Sequence, residues 1–389
     1  MNILANIVGQ HAEQAASLWA QRDNLALDDP PDLDAVAAID DRLEMSLDGI
    51  RVASRAAWPC VLALHQASPG KGELFVVSWT ALEFESADHV AQAVEVGRTA
   101  IDGPGGLLGA LAWHTPRLIA PWVRAWINDA CDPFKRFLGV SACFEHRVDP
   151  KQMLSLRLRD PDTSVRAASL RLVAKLGRAD LTGEVRNAGF DEDQQVRFWA
   201  AWALSELGSG DLAVPELRRV AVQGDDNALS ALRAAVKAMP MKEARSWIGS
   251  LYTSPQSASL GVRAAGMLGD RSILPWLIEQ MGNPALAVTA GASFLELFPE
   301  ARQESDLFTT DPGAAGLRFE EYFGNQAARV PLADRVLEWA TRMHHVAGVN
   351  EQVLGGGWIH GRRVGERAKL LARGASGALS AKSRVAPRL

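Results

Sequence analysis

The clearest hydrophobic pattern lies in residues 191–208, DEDQQVRFWAAWALSELG. Val196, Trp199, Ala203 and Leu207 step by three and four, which predicts a helix with one buried stripe. The same offsets return one repeat earlier as Val165, Ala168, Leu172 and Leu176, and before that as Phe137, Val140, Phe144 and Val148. A helical pattern that recurs roughly every 30 residues predicts a stacked α-solenoid, in which each unit buries its apolar face on its neighbours. The residue at +4 is small in each case (Ser141, Ser169, Ala200 and, later, Gly261), so paired helices can approach closely. The expected structural core is therefore Phe137, Val140, Phe144, Val165, Leu172, Leu176, Val196, Trp199 and Leu207.

Repeat starts fall at Asp102-Gly103-Pro104, Asp132-Pro133, Asp160-Pro161, Asp191, Asp225-Asp226, Ser254-Pro255 and Asn283-Pro284. Asp or Asn before Pro caps the coming helix and bars the old one from continuing. Glycine after the last turn, as at Gly177 and Gly208, fits a left-handed C-cap. Residues 1–100 carry helices but no clean repeat: one over 3–22, one over 33–56 capped by Asp32, and two more over 72–84 and 86–97. In the second, Val36, Ile39, Leu43, Leu47 and Ile50 form the apolar face, while Asp40, Asp41, Arg42, Glu44 and Asp48 form the wet side. The stretch FVVSW looks strand-like, but its continuation TALEFES favours a helix. The predicted architecture is all-α: an N-terminal helical cap over 1–100, a HEAT-like α-solenoid of about seven helix pairs over 101–300, and a degenerate helical region with a basic tail over 301–389.

Charge adds one feature. The formal net charge is −5, yet residues 361–389 hold eight basic side chains against Glu366, a local +7. Subtracting that tail leaves −12 on residues 1–360, so the body is not a nucleic-acid binder by charge. Cys60, Cys131 and Cys143 are too few for a disulfide framework or a zinc site. The N-terminus lacks a basic-then-apolar leader and no apolar run reaches membrane-spanning length, so a cytoplasmic protein is expected.

With the repeats in hand, the chain resembles a family. DPDTSVRAASLRLVAKLG and DEDQQVRFWAAWALSELG are similar to HEAT-like repeats of the type named from phycobilin lyases. Four stretches, HAEQAASLW (11–19), DDRLEMSLDGIRVA (40–53), FKRFLGVSACFEHRVDP (134–150) and VRFWAAWALSELG (196–208), further resemble a bacterial HEAT-repeat family encoded in type VI secretion gene clusters. The likeness covers residues 1–300. It implies a HEAT-like fold and an accessory role in secretion, and it supplies no mechanism.

Motif chemistry is sparse. No P-loop, nucleophile elbow, HExxH or dinucleotide fingerprint occurs, so no catalytic residue, cofactor or enzymatic activity is expected. Gly103–Gly106 reads as a turn rather than an anion cradle, and Gly355–Gly357 before Trp358, His360, Arg362 and Arg363 reads as a linker. Of eight histidines only His344 and His345 are adjacent, and neighbours on a helix diverge, so no metal site is expected. Phycobilin-lyase chemistry rests on fold analogy alone. Twelve tryptophans against two tyrosines is an unusual balance; most are expected to pack between repeats, as Trp199 does on its stripe, and tryptophan is a leading hot-spot residue where its face is accessible. Phe198 and Trp202 lie off the stripe of Trp199; they either fill the seam to the adjoining repeat or form an exposed anchor. Second helices usually line the concave face, which makes Arg157, Arg186, Arg218, Arg219, Arg245, Trp247 and Trp276 partner-binding candidates alongside Phe198 and Trp202. Their mixed surroundings favour a protein partner over a nucleic acid or a membrane. The expected function is a non-enzymatic interaction scaffold, an adaptor or chaperone serving a secretion effector or spike component. The alternative is an immunity protein that occludes a cognate toxin.

Overall fold

Short polar side chains mark where the helices begin. In the computed structural model, which describes residues 3–343 together with 358–359 and 362–363, Asp32, Ser86, Thr115, Asp132, Asp162, Asp193 and Asn283 each accept a backbone N–H from the first turn that follows. Such a bond satisfies donors that have no partner inside the helix. His344, His345, Gly355–Gly357, His360 and the tail beyond Arg363 lie outside the described residues. Among the described residues the architecture is the all-α solenoid that the period predicts, and it divides into two compact units at Leu207/Gly208.

The first unit opens with α1 (Ile3–Leu27), α2 (Leu33–Ala53) and α3 (Trp58–Ala67). Helix pairs follow: α4 (Lys71–Glu83) with α5 (Ala87–Thr99), α6 (Gly105–Trp113) with α7 (Pro116–Ile127), α8 (Pro133–His146) with α9 (Gln152–Arg157), and α10 (Thr163–Leu176) with α11 (Thr182–Ala188); α12 (Gln194–Glu206) closes the unit. The first helices α4, α6, α8, α10 and α12 stack each on the next, so the helix-pair alternation begins at Lys71, before the expected start near 101. Gly106 permits one of these contacts, because a Cβ there would collide with the Lys71 carbonyl of α4.

Helix α3 was not legible: α2 was expected to run to 56, but it ends at Ala53 where Ser54 turns to φ +54°. Trp58-Pro59 then starts a new helix, with proline where no N–H is needed. Asp40, expected on the wet side of α2, is buried and accepts from Arg22 Nε at 2.8 Å. Val36, Ile39, Leu43, Leu47 and Ile50 are buried as the pattern requires.

The second unit comprises α13 (Gly210–Gln223), α14 (Ala228–Ala238), α15 (Met241–Thr253), α16 (Ala258–Met267), α17 (Leu274–Met281) and α18 (Pro284–Leu297), then α19 (Leu317–Phe323) and α20 (Ala333–Arg342). A two-residue antiparallel ladder joins β1 (Phe308–Thr309) to β2 (Val330–Pro331). Among the described residues between 301 and 343 the chain packs back on α18: Trp339 of α20 meets Phe294 and Phe298 edge-on at 5.3 and 5.8 Å. Glu296 is held between Arg233 and Arg263, each at 2.8 Å, a buried group that is charged yet paired.

Candidate partner-binding face

The register of the first helices is set by aspartates that come in pairs two residues apart. Asp162 and Asp193 cap α10 and α12, whereas Asp160 and Asp191, expected as the caps, face the preceding repeat. Asp160 takes Nε and Nη2 of Arg136 at 2.7 and 2.8 Å, and Asp191 takes the same two nitrogens of Arg166 at 2.9 and 3.0 Å. Arg98, at the end of α5, also forks onto Asp132, but through Nη1 and Nη2, and there the acceptor is the α8 cap itself. Two parallel bonds between planar groups fix angle as well as distance. Burial alone would raise the Asp160 carboxyl, but Arg136, Arg157 and the Asp162 amide hold it below the usual carboxylate range.

Counting from the caps corrects the repeat alignment. Arg136, Arg166 and Arg197 each stand four residues after the cap, so Lys135, not Phe137, occupies the place of Val165. Phe137 is accordingly half-buried, and Leu138 is buried in its stead. Val140, Phe144, Val165, Leu172 and Val196 are core as expected, while Leu176 and Leu207 reach only half burial at their helix ends.

The largest correction concerns α12. Phe198 and Trp202 are 1% and 4% exposed, so neither is an exposed anchor. Trp199, expected in the core, is half-buried and meets Phe198 and Trp202 edge-on at 4.7 and 5.5 Å. Three aromatic side chains within one turn cannot all point into the stack, and here the two off-stripe rings take the inside.

That exchange leaves Trp199 on a partly exposed face, in line with the cations Arg171 and Lys175, which lie over the buried Phe144 ring. The Arg171 guanidinium on α10 lies 4.9 Å from the Phe144 ring on α8 and 4.9 Å from the Trp199 ring on α12. Lys175, one turn on, sits 4.1 Å over Phe144. Half-buried Ala167 and Ala174 flank Arg171, and small residues there leave the row accessible. Further along α8, Phe134 stacks with Phe137 at 6.3 Å and carries Arg98 at 4.8 Å. Cation–aromatic contacts contribute about 0.5–1 kcal/mol each at exposed sites. The sequence signal was present: Arg171 lies about one repeat after Phe144 and one before Trp199.

The other candidates are not brought together. Arg157 is spent on Asp160 and the Ile127 carbonyl, Arg219 on Glu216 and Gln223, and Arg245 on Asp270. Arg186 is exposed. Trp247 is buried under Arg218 at 5.0 Å, and Trp276 is half-buried against Tyr252. Within the second helices most of these charges therefore serve the fold.

A second polar cluster lies among α2, α4 and α6. Arg51 bonds Glu44, Asp48 and Glu83 and lies 4.9 Å over the Trp79 ring; Trp113 Nε1 donates to Glu44. Buried His114 stacks on Trp79 and donates from Nε2 to the Trp79 carbonyl at 3.1 Å. His146 bonds the Leu111 carbonyl in the same manner one repeat on. Burial drives His114 down to about 3, despite the Trp79 carbonyl, with Arg51 and His146 adding to the shift. Native His114 stays neutral while the unfolded chain takes up a proton below pH 6.5, so stability is complete above 6.5 and declines as pH falls toward 3. From pH 7.5 to 5.0 this one group should account for about 2 kcal/mol of lost unfolding free energy. Urea titrations of wild type and His114→Gln at both pH values measure it; an identical pH loss in the variant contradicts the assignment.

Compared with known proteins, residues 151–240 match the family of HEAT repeats. The chain thus contains HEAT-like repeats, in a stretch that runs from the start of α9 to the end of α14. No curated protein matches the chain. Among the described residues no helix is long and apolar enough to cross a membrane, and no group of three or more His, Cys, Asp or Glu side chains is placed to hold a metal.

Proposed function

We propose that this protein is a non-enzymatic interaction scaffold that engages a protein partner through the first-helix face of α8, α10 and α12. The observation that carries the reading is Arg171 set between Phe144 and Trp199. Tryptophan and arginine side by side on a partly exposed surface are the residue types that dominate protein interfaces. HEAT repeats generally mediate protein–protein contacts, and the family match covers part of this face. The resemblance to type VI secretion-associated proteins supplies the finer proposal: a cytoplasmic adaptor that presents an effector or spike component to the secretion machinery.

Tagged wild type and Arg171→Glu, expressed in the native host, test both levels. Wild type should co-purify with a secretion component, and Arg171→Glu should recover at least ten-fold less of it while its melting temperature falls by no more than a few degrees, as the loss of two contacts of about 0.5–1 kcal/mol each requires. Equal recovery by the variant removes this face from the interaction. Recovery of wild type alone, with secretion intact in a deletion strain, removes the adaptor role.

A further inference from the structure

The outer face of α2 has a composition that the scaffold reading does not use. Val52 is 84% exposed, the most of any large apolar side chain within a helix among the described residues, and Met45 is 65% exposed. Ala38, Met45 and Val52 recur every seven residues and therefore form one stripe along the exposed side. Asp34, Asp41 and Asp48 recur at the same spacing along one edge of that stripe, all exposed, with Arg42 on the opposite flank. Asp48 also bonds Arg51, yet its side chain is still 65% exposed. A lone exposed apolar residue needs no explanation, but an apolar stripe edged by a row of one charge is a surface shaped for a covering segment of opposite charge.

The same chain contains such a segment. Residues 364–389 hold Arg367, Lys369, Arg373, Lys382, Arg384 and Arg388 against Glu366, a net +5. Val364, Ala368, Leu370 and Leu371 stand among these basic residues and supply apolar side chains. We propose that residues 364–389 dock on the Ala38–Met45–Val52 stripe of α2, with their basic side chains against Asp34, Asp41 and Asp48. Charge selects the segment and the apolar residues hold it.

Zero-length carbodiimide coupling of the full chain, read by mass spectrometry on the monomer fraction, tests this directly. Amide links from Asp41 or Asp48 to Lys369 or Lys382 are expected. Val52→Lys, a change at a solvent-exposed site that should leave the melt unaltered, is expected to lower their yield at least five-fold. It should also speed tryptic cleavage after Arg367, Lys369 and Arg373 by a similar factor. The proposal is overturned if no such links form, if they occur only in a dimer fraction, or if Val52→Lys changes neither readout.

Discussion

Phe198→Ala should destabilise the protein far more than Trp199→Ala, although tryptophan is the larger residue. Phe198 is fully buried, and deleting a buried aromatic ring costs roughly 3–5 kcal/mol because the surrounding helices close the cavity only partly. Trp199 is only partly buried, so its removal forfeits the Arg171 contact and part of its packing, on the order of 1–2 kcal/mol. Chemical denaturation of the two variants and wild type ranks them. The reverse order would place Trp199 in the core and Phe198 at the surface. Trp202→Ala belongs with Phe198→Ala, since its ring is equally enclosed.

Asp160→Ala is expected to be comparably damaging for a different reason. The Asp160 side chain is inaccessible to solvent and accepts from Arg136, Arg157 and the Asp162 amide. Removing one partner of a buried pair strands the other, at a cost of about 3–5 kcal/mol, and here two guanidinium groups lose a carboxylate together. Asp191→Ala removes the equivalent group one repeat later, but the Arg166–Asp191 pair is partly exposed and water can replace the carboxylate. The difference between the two variants in the same denaturation experiment should be about 2 kcal/mol. Equal losses would mean that burial at Asp160 does not govern the effect.

The parts of the fold that local chemistry dictates were legible. Periodicity gave the helices and their stacking, and Asp132, Gly177 and Asn283 ended or began helices where short-range rules place them. What escaped depends on contacts between helices. Asp160 and Asp191 look like caps because aspartate favours that role, and only the position of Arg136 and Arg166 shows that each reaches back instead. Asp40 sits among polar neighbours and becomes internal because Arg22 of α1 meets it. Phe198, Trp199 and Trp202 span both sides of a helix whose two flanks are nearly equally apolar, so hydrophobicity alone could not choose the inner one. The aromatic–cation row was missed because its members come from three different repeats, and because periodicity assigns both Phe144 and Trp199 to the core and passes over Arg171.

The two-residue separation between the aspartate that reaches back and the aspartate that caps has a consequence for how such an array can vary. Arg136 lies 24 residues before Asp160 and Arg166 lies 25 before Asp191, yet both make the same forked contact. At these two joints a repeat meets its neighbour through a carboxylate at the doorway rather than through a fixed count of residues. The second helix and its turns are thereby free to change length, and a chain can acquire new surface on that side without being asked to reassemble its stack.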